Sequence, residues 1–154
     1  MKFWLVKSEP DVYSIEDFAK DKLTRWDCVR NYQARNNLRE MQVGDNVLFY
    51  HSSADPSGVA GLARVAKTAY ADPTQFDLKS EYFDPKATKS EPRWFSPELK
   101  FTKSFGRILT TAELRAEKAL SGMALLQRGS RLSVQPVTEK EFTVIISLSR
   151  RIIP

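Results

Sequence analysis

The apolar residues of this 154-residue chain fall in short blocks, Lys2 to Val6, Asn46 to His51 and Gly58 to Val65, set apart by turn signals and capped helical patterns. Blocks of that length, bounded by Pro, Gly, Asp and Ser, read as strands, so the chain is restricted to a sheet with irregular connections. Pro10 ends the first block, and Ser14-Ile15-Glu16-Asp17 then opens a short helix, Ser14 capping while Asp17 reaches back to the first turn. A second helix is predicted to begin within Asn31 to Arg35 and run through Leu38 to Met41, ending before the Val43-Gly44-Asp45 turn. Asn46–His51 and Gly58–Val65 form a hairpin across a polar turn that holds Pro56 and Ser57. Asp72 to Pro92 reads as a long ordered loop, with Tyr70, Phe76, Tyr82 and Phe83 as aromatic anchors. Trp94–Lys103 and Ser130–Val134 are predicted strands; Thr111–Ala119 and Thr138–Ile146 are predicted helices, the latter opened by the capping box Thr138-Glu139-Lys140-Glu141. Unevenly spaced strands with inserted helices point to one α+β domain, residues 1–154, whose sheet curls toward a small barrel. A doubly wound sheet would need regular strand-helix alternation, and no G-x-G-x-x-G or Walker sequence is present.

A single cysteine, Cys28, rules out an internal disulfide, and a single histidine, His51, leaves one imidazole for any ligand set, so neither zinc nor another cofactor is expected. Asp72, Asp77, Glu81 and Asp84 lack the spacing and central glycine of a calcium loop. The first apolar block is too short for a signal h-region or a membrane span, which gives a cytoplasmic expectation with no membrane partner. The net charge is +5, and it is unevenly distributed: residues 101–154 hold nine basic and four acidic side chains, while the first two thirds balance. Lys103, Arg107, Arg115, Arg128, Arg131, Arg150 and Arg151 would make a phosphate-facing surface if the fold gathered them.

The segment Trp26-Asp27-Cys28-Val29-Arg30-Asn31-Tyr32-Gln33-Ala34-Arg35-Asn36 combines two aromatics, two guanidiniums and three carboxamides without glycine or proline. Rings for stacking beside bidentate donors and acceptors suit a planar hydrogen-bonding ligand, a nucleobase above all. An exposed amphipathic helix facing only water reads the same residues equally well. Lys7-Ser8-Glu9-Pro10, Tyr50-His51-Ser52 and Arg128-Gly129-Ser130-Arg131-Leu132-Ser133 share its character, and each lies at a predicted strand end, where barrels bind ligands. Each also has an ordinary reading: a solvated Lys7, a turn at Ser8, a structural His51, a core Trp94, and an Arg93 paired with nearby acids. Cys28 reads as a buried, inert thiol. An enzyme using His51 with Ser52 or Cys28 is the weakest reading, because no orienting acid is recognisable.

These segments, together with Pro92-Arg93-Trp94 and Gly129 to Val137, closely resemble the EVE domain family over essentially the whole chain. Cys28 stands where that family commonly has glycine, which puts the close backbone approach at that turn in question. The resemblance implies a PUA-like fold, a curled β-barrel with peripheral helices, akin to YTH, SRA and ASCH domains. It implies binding rather than catalysis: recognition of a modified base, particularly modified cytosine in DNA, flipped into an aromatic pocket, with an RNA-binding PUA-like module as the alternative. Carried over by position, the base pocket comprises Trp26, Arg30, Asn31, Tyr32, Tyr50, His51, Ser52, Ser130, Arg131 and Ser133. Lys7, Ser8, Arg35 and Arg93 form the phosphate-holding rim. Any action beyond occupancy would fall to a separate effector protein.

Overall fold

The computed structural model describes residues 1–151. In chain order its regular elements are β1 (Phe3–Ser8), α1 (Ile15–Asp21), β2 (Leu23–Arg25), α2 (Tyr32–Glu40), β3 (Asn46–His51), β4 (Gly58–Ala71), β5 (Phe95–Thr110), α3 (Thr111–Arg115), β6 (Val134–Val137) and α4 (Glu139–Ser149). The strands form one mixed sheet in the order β2-β5-β4-β3-β1-β6; β1 and β3 run parallel and the other pairs antiparallel. A parallel pair needs a crossover, and α1, β2 and α2 supply it. Bulges in the β4–β5 ladder bend the sheet, which curls without closing, leaving β2 and β6 as edges.

Both faces of the central strands are covered. Trp4, Val6, Val47 and Phe49 pack with Ile15, Phe18, Leu38 and Met41 on one face, while Leu5, Leu48 and Tyr50 pack with Leu109, Leu114, Leu120 and Ile145 on the other. Side chains of successive strand residues point to opposite faces, so continuous apolar blocks are what a doubly covered sheet requires. Asp45 ties the entry of β3 to β1, accepting from Trp4 Nε1 at 3.0 Å, Lys2 N at 3.0 Å and Gln42 N at 3.0 Å. The Ser14 capping box forms as expected, as does that of Thr138 with Glu141.

The differences from expectation have local causes. Ser130–Ser133 is not strand; β6 begins at Val134 and carries Pro136, which an edge strand tolerates because its missing N–H faces no partner. Pro97 lies inside β5 where the β4–β5 register shifts, another position that asks for no ladder donor. β4 and β5 run further than predicted, to Ala71 and Thr110, because pairing between the two strands sustains a stretch in which, apart from Leu109, no side chain is fully buried. The predicted Thr111–Ala119 helix stops at Arg115 and is capped by Thr110. Leu114 and Leu120 both enter the core below, and a straight helix would turn them to different sides.

Candidate nucleic-acid interface

After β2 the chain leaves the sheet edge with Trp26 N–H donating to Pro97 O at 2.9 Å, which sets the indole against Phe49 in an edge-on contact at 5.6 Å. Phe49 also meets Phe18 at 5.5 Å, Tyr13 at 6.5 Å and His51 at 5.7 Å, so Trp26 rests on a continuous aromatic floor. Two residues on, Cys28 adopts φ +67°, the left-handed conformation that L side chains rarely take and glycine takes freely. The turn survives a cysteine because the fully buried Asp72 holds its amide, Cys28 N–H to Oδ2 at 2.8 Å.

Asp72 joins two connections. Its Oδ1 accepts from Thr74 N at 2.8 Å and Thr74 Oγ1 at 2.6 Å, and its Oδ2 accepts from Arg30 Nη1 at 3.2 Å as well as from Cys28. Burial alone would raise this carboxyl, but the donors from Thr74, Cys28 and Arg30 outweigh it and hold the group below its ordinary 3.8. Arg30 also donates to Tyr82 O at 2.8 Å and Thr74 Oγ1 at 2.9 Å while its guanidinium lies over the Tyr82 and Trp94 rings. Gln75 closes the same loop, donating to Asp72 O and Trp94 O and accepting from the Arg93 and Trp94 amides. Beyond a 3-10 turn at Pro73–Phe76, the 72–94 connection is thus ordered by polar bonds.

Between these connections and the end of β1 lies a cavity of about 600 Å³, within the roughly 300–1,000 Å³ usual for ligand sites. Lys7, Ser8, Trp26, Arg30 and Ser133, all expected from sequence, lie on its wall. So do Glu9, Tyr13, Cys28, Glu81 and Tyr82, which sequence reasoning did not place there. For Tyr82 a signal existed: an aromatic in a Pro-, Asp-, Ser- and Lys-rich loop, here 37% exposed. The wall therefore offers rings, hydroxyls, carboxylates and guanidiniums at once, the set needed to stack on a heterocycle and bond its edge.

The other expected residues lie elsewhere. Asn31 caps α2, its Oδ1 accepting from Ala34 N–H at 2.9 Å. Tyr32 stacks on Trp94 at 5.0 Å and bonds the Arg93 guanidinium through its hydroxyl; Arg35 lies over the Tyr32 ring and donates to Arg93 O at 3.0 Å. Arg93 and Arg35 thus build a guanidinium–aromatic cluster with Tyr32 off the cavity wall. Tyr50 belongs to the opposite face of the sheet from Trp26, its hydroxyl 2.9 Å from Thr111 Oγ1. Ser52 N–H donates to Ser8 O at 2.9 Å, Ser130 Oγ accepts from Gln135 Nε2 at 3.3 Å, and Arg131 is exposed. The basic surplus is partly spent inside the fold, with Arg107 on Glu113, Arg115 on Leu126 O and Arg151 on Glu117.

His51 is buried, and its Nε2 accepts from Ile15 N–H at 3.1 Å, which puts the ring proton on Nδ1 and satisfies the first amide of α1. Burial lowers its pKa below the ordinary 6.5, opposed in part by Glu16. Protonation would aim an N–H at an N–H, so His51 contributes stability that is full above about pH 6.5 and drains away as pH falls toward the lower folded value. Urea denaturation between pH 7.5 and 5.5 is expected to show this decline in the wild type and a flatter profile in His51→Gln; parallel profiles would remove His51 from the account. Burial, reinforced by Asp27, pushes the Cys28 thiol up to about 11, so it carries a proton at neutral pH. Among the described residues no group of three or more His, Cys, Asp or Glu is placed to hold a metal, and no helix is long and apolar enough to cross a membrane.

Comparison with known proteins adds four findings. The EVE domain profile matches residues 2–148. Human thymocyte nuclear protein 1 is 41% identical over 96% of this chain and 74% of its own length. The crystal structure of human THYN1 protein in complex with DNA containing 5-methylcytosine is similar at TM-score 0.92 and 37% identity, covering 99% of this chain and 100% of that one. A YTH domain of Zygosaccharomyces rouxii, at TM-score 0.57 and 11% identity over 99% of this chain and 88% of that one, extends the likeness of fold to PUA-like domains.

Proposed function

This chain belongs to the EVE domain family, and on that premise we propose that it is a non-catalytic module that binds DNA and holds a modified cytosine in the cavity beside Trp26. The observation that carries the reading is the cavity itself: an aromatic and polar chamber of about 600 Å³ lined by residues from three of the segments that carry the family resemblance, those around Lys7, Trp26 and Ser133. It occurs in a fold similar at TM-score 0.92 to a protein captured with 5-methylcytosine DNA. A base in this chamber stacks on an indole kept rigid by Phe49, and its edge meets the hydroxyls and carboxylates of the wall. Lys7, on the cavity wall, is the cation this reading gives to the sugar-phosphate: it has no carboxylate partner among the described residues, whereas the Arg30 guanidinium is bonded to Asp72, Thr74 and Tyr82.

The test is a fluorescence titration at fixed salt with oligonucleotides that differ only in cytosine, 5-methylcytosine or 5-hydroxymethylcytosine, each as DNA and as RNA. A preference for one modified DNA form is expected. Tyr82→Ala, which removes a partly exposed ring outside the hydrophobic core, should weaken that binding by about 5- to 150-fold, the value of one stacking ring at 1–3 kcal/mol, while leaving the unfolding midpoint near that of wild type. Equal affinity for all three cytosines, with a steep salt dependence, would reduce the interaction to phosphate attraction and defeat the reading.

A further inference from the structure

The cavity has an apolar lip that its own packing does not use. Val12 lies on the cavity wall and yet is 76% exposed. The other exposed large apolar side chains behave differently: Met1, Leu23, Tyr32, Val43 and Leu78 lie off the wall, and Tyr82, on the wall, is half as exposed and has Arg30 over its ring. Nor is Val12 on a loose loop. Val12 N–H and Tyr13 N–H both donate to Glu9 O at 2.9 Å, Ser8 Oγ donates to Tyr13 O at 2.6 Å, and Tyr13 OH donates to Asp21 at 2.9 Å. Pro10 fixes one backbone dihedral of the same turn. A β-branched side chain has little rotamer freedom left to lose, so a rigid turn presents it at low entropic cost.

A base drawn out of a duplex leaves a gap between its former neighbours, and the duplex recloses unless something fills it. Proteins that unstack base steps insert apolar side chains between the bases. We propose that Val12 is the plug that enters the duplex where the flipped base has left, so that the lip of the cavity and the cavity act on the two ends of one displacement. The inference rests on reading the cavity as a base pocket. It makes this site one for double-stranded DNA, since a single strand has no gap to fill.

Affinity is measured for one 5-methylcytosine oligonucleotide as a duplex and as a single strand, with wild type, Val12→Ala and Val12→Leu, and 2-aminopurine beside the target base reports its unstacking. Val12→Ala is expected to weaken duplex binding about tenfold and to reduce the 2-aminopurine signal, with single-strand binding within about twofold of wild type, and Val12→Leu to retain both. Equal loss on both forms would make Val12 an ordinary pocket wall and overturn the plug alone, as would no loss on either. If the wild type showed no preference for 5-methylcytosine even in the single strand, the pocket reading would fail and take the plug with it.

Discussion

Asp72→Ala is expected to destabilise the protein by about 3–5 kcal/mol, the usual consequence of removing one partner of a buried ion pair. The side chain is fully buried, its Arg30 partner is largely so, and its two oxygens receive four donors. Without it Arg30 keeps Tyr82 O and Val29 O, but the amides of Cys28 and Thr74 lose their acceptor. Asp72→Asn sharpens the test because it preserves shape. A carboxamide has one acceptor oxygen, whereas Cys28 and Arg30 donate at one end of the carboxylate and Thr74 donates twice at the other. Either orientation sets an NH2 against donors, so Asn should still cost about 1–3 kcal/mol. Urea unfolding reads both variants; an Asn protein within about 0.5 kcal/mol of wild type would show that packing, not charge and acceptors, matters at this position.

The same carboxylate gives an acid signature. Its folded pKa lies below the ordinary 3.8, so its contribution is complete above that value and is lost as pH falls through the lower folded value. The wild type should lose this increment below about pH 4, and Asp72→Asn, which cannot titrate there, should lose less over that interval. Because Cys28 N–H and Arg30 hang on Asp72, the variant should also bind modified DNA more weakly at temperatures where it remains folded.

Much of the sheet was legible in the sequence because its strands obey local rules. Asn46–His51 matches β3 at both ends, and the Ser14 and Thr138 capping boxes opened helices as read. The elements that escaped depend on partners distant in sequence. β2, three residues with no apolar pattern, exists because Leu23–Arg25 pairs with Glu98–Lys100, and nothing within the segment announces that. For the site, the Trp26–Asn36 segment marked the right region, but its residues serve different ends: Trp26 and Arg30 line the cavity, Asn31 caps a helix, and Tyr32 and Arg35 build the cluster with Trp94. Tyr50 and His51 illustrate the limit. Adjacent strand residues point to opposite faces, which turns Tyr50 away from the Trp26 side while His51, on that side, is held by the first amide of α1; this becomes readable once β3 is known to be covered on both sides. Asp72 carries no local signal of its role because its partners, Cys28 and Arg30, lie more than forty residues away.

Phe49→Ala tests whether the two faces of the sheet have separate duties. Phe49 has no exposed surface and meets four rings, so truncation leaves a cavity that rigid aromatic neighbours cannot fill; the expected loss is about 3–5 kcal/mol, or roughly 6–20 °C in Tm for a chain of this size. Leu48→Ala, one residue away and equally buried, opens a cavity on the other face and should cost about 2–5 kcal/mol. The two variants therefore match in stability and should part in binding. Losing Phe49 lets the Trp26 indole sink into the vacated space, changing tryptophan fluorescence and weakening modified-DNA binding by about tenfold or more even well below the melting transition. Losing Leu48 leaves the floor beneath Trp26 intact, and binding at the same temperature should stay within about twofold of wild type. Equal losses of affinity in the two variants would mean that the sheet transmits damage as a whole, and the idea of Phe49 as the support of a preorganised stacking surface would have to be given up.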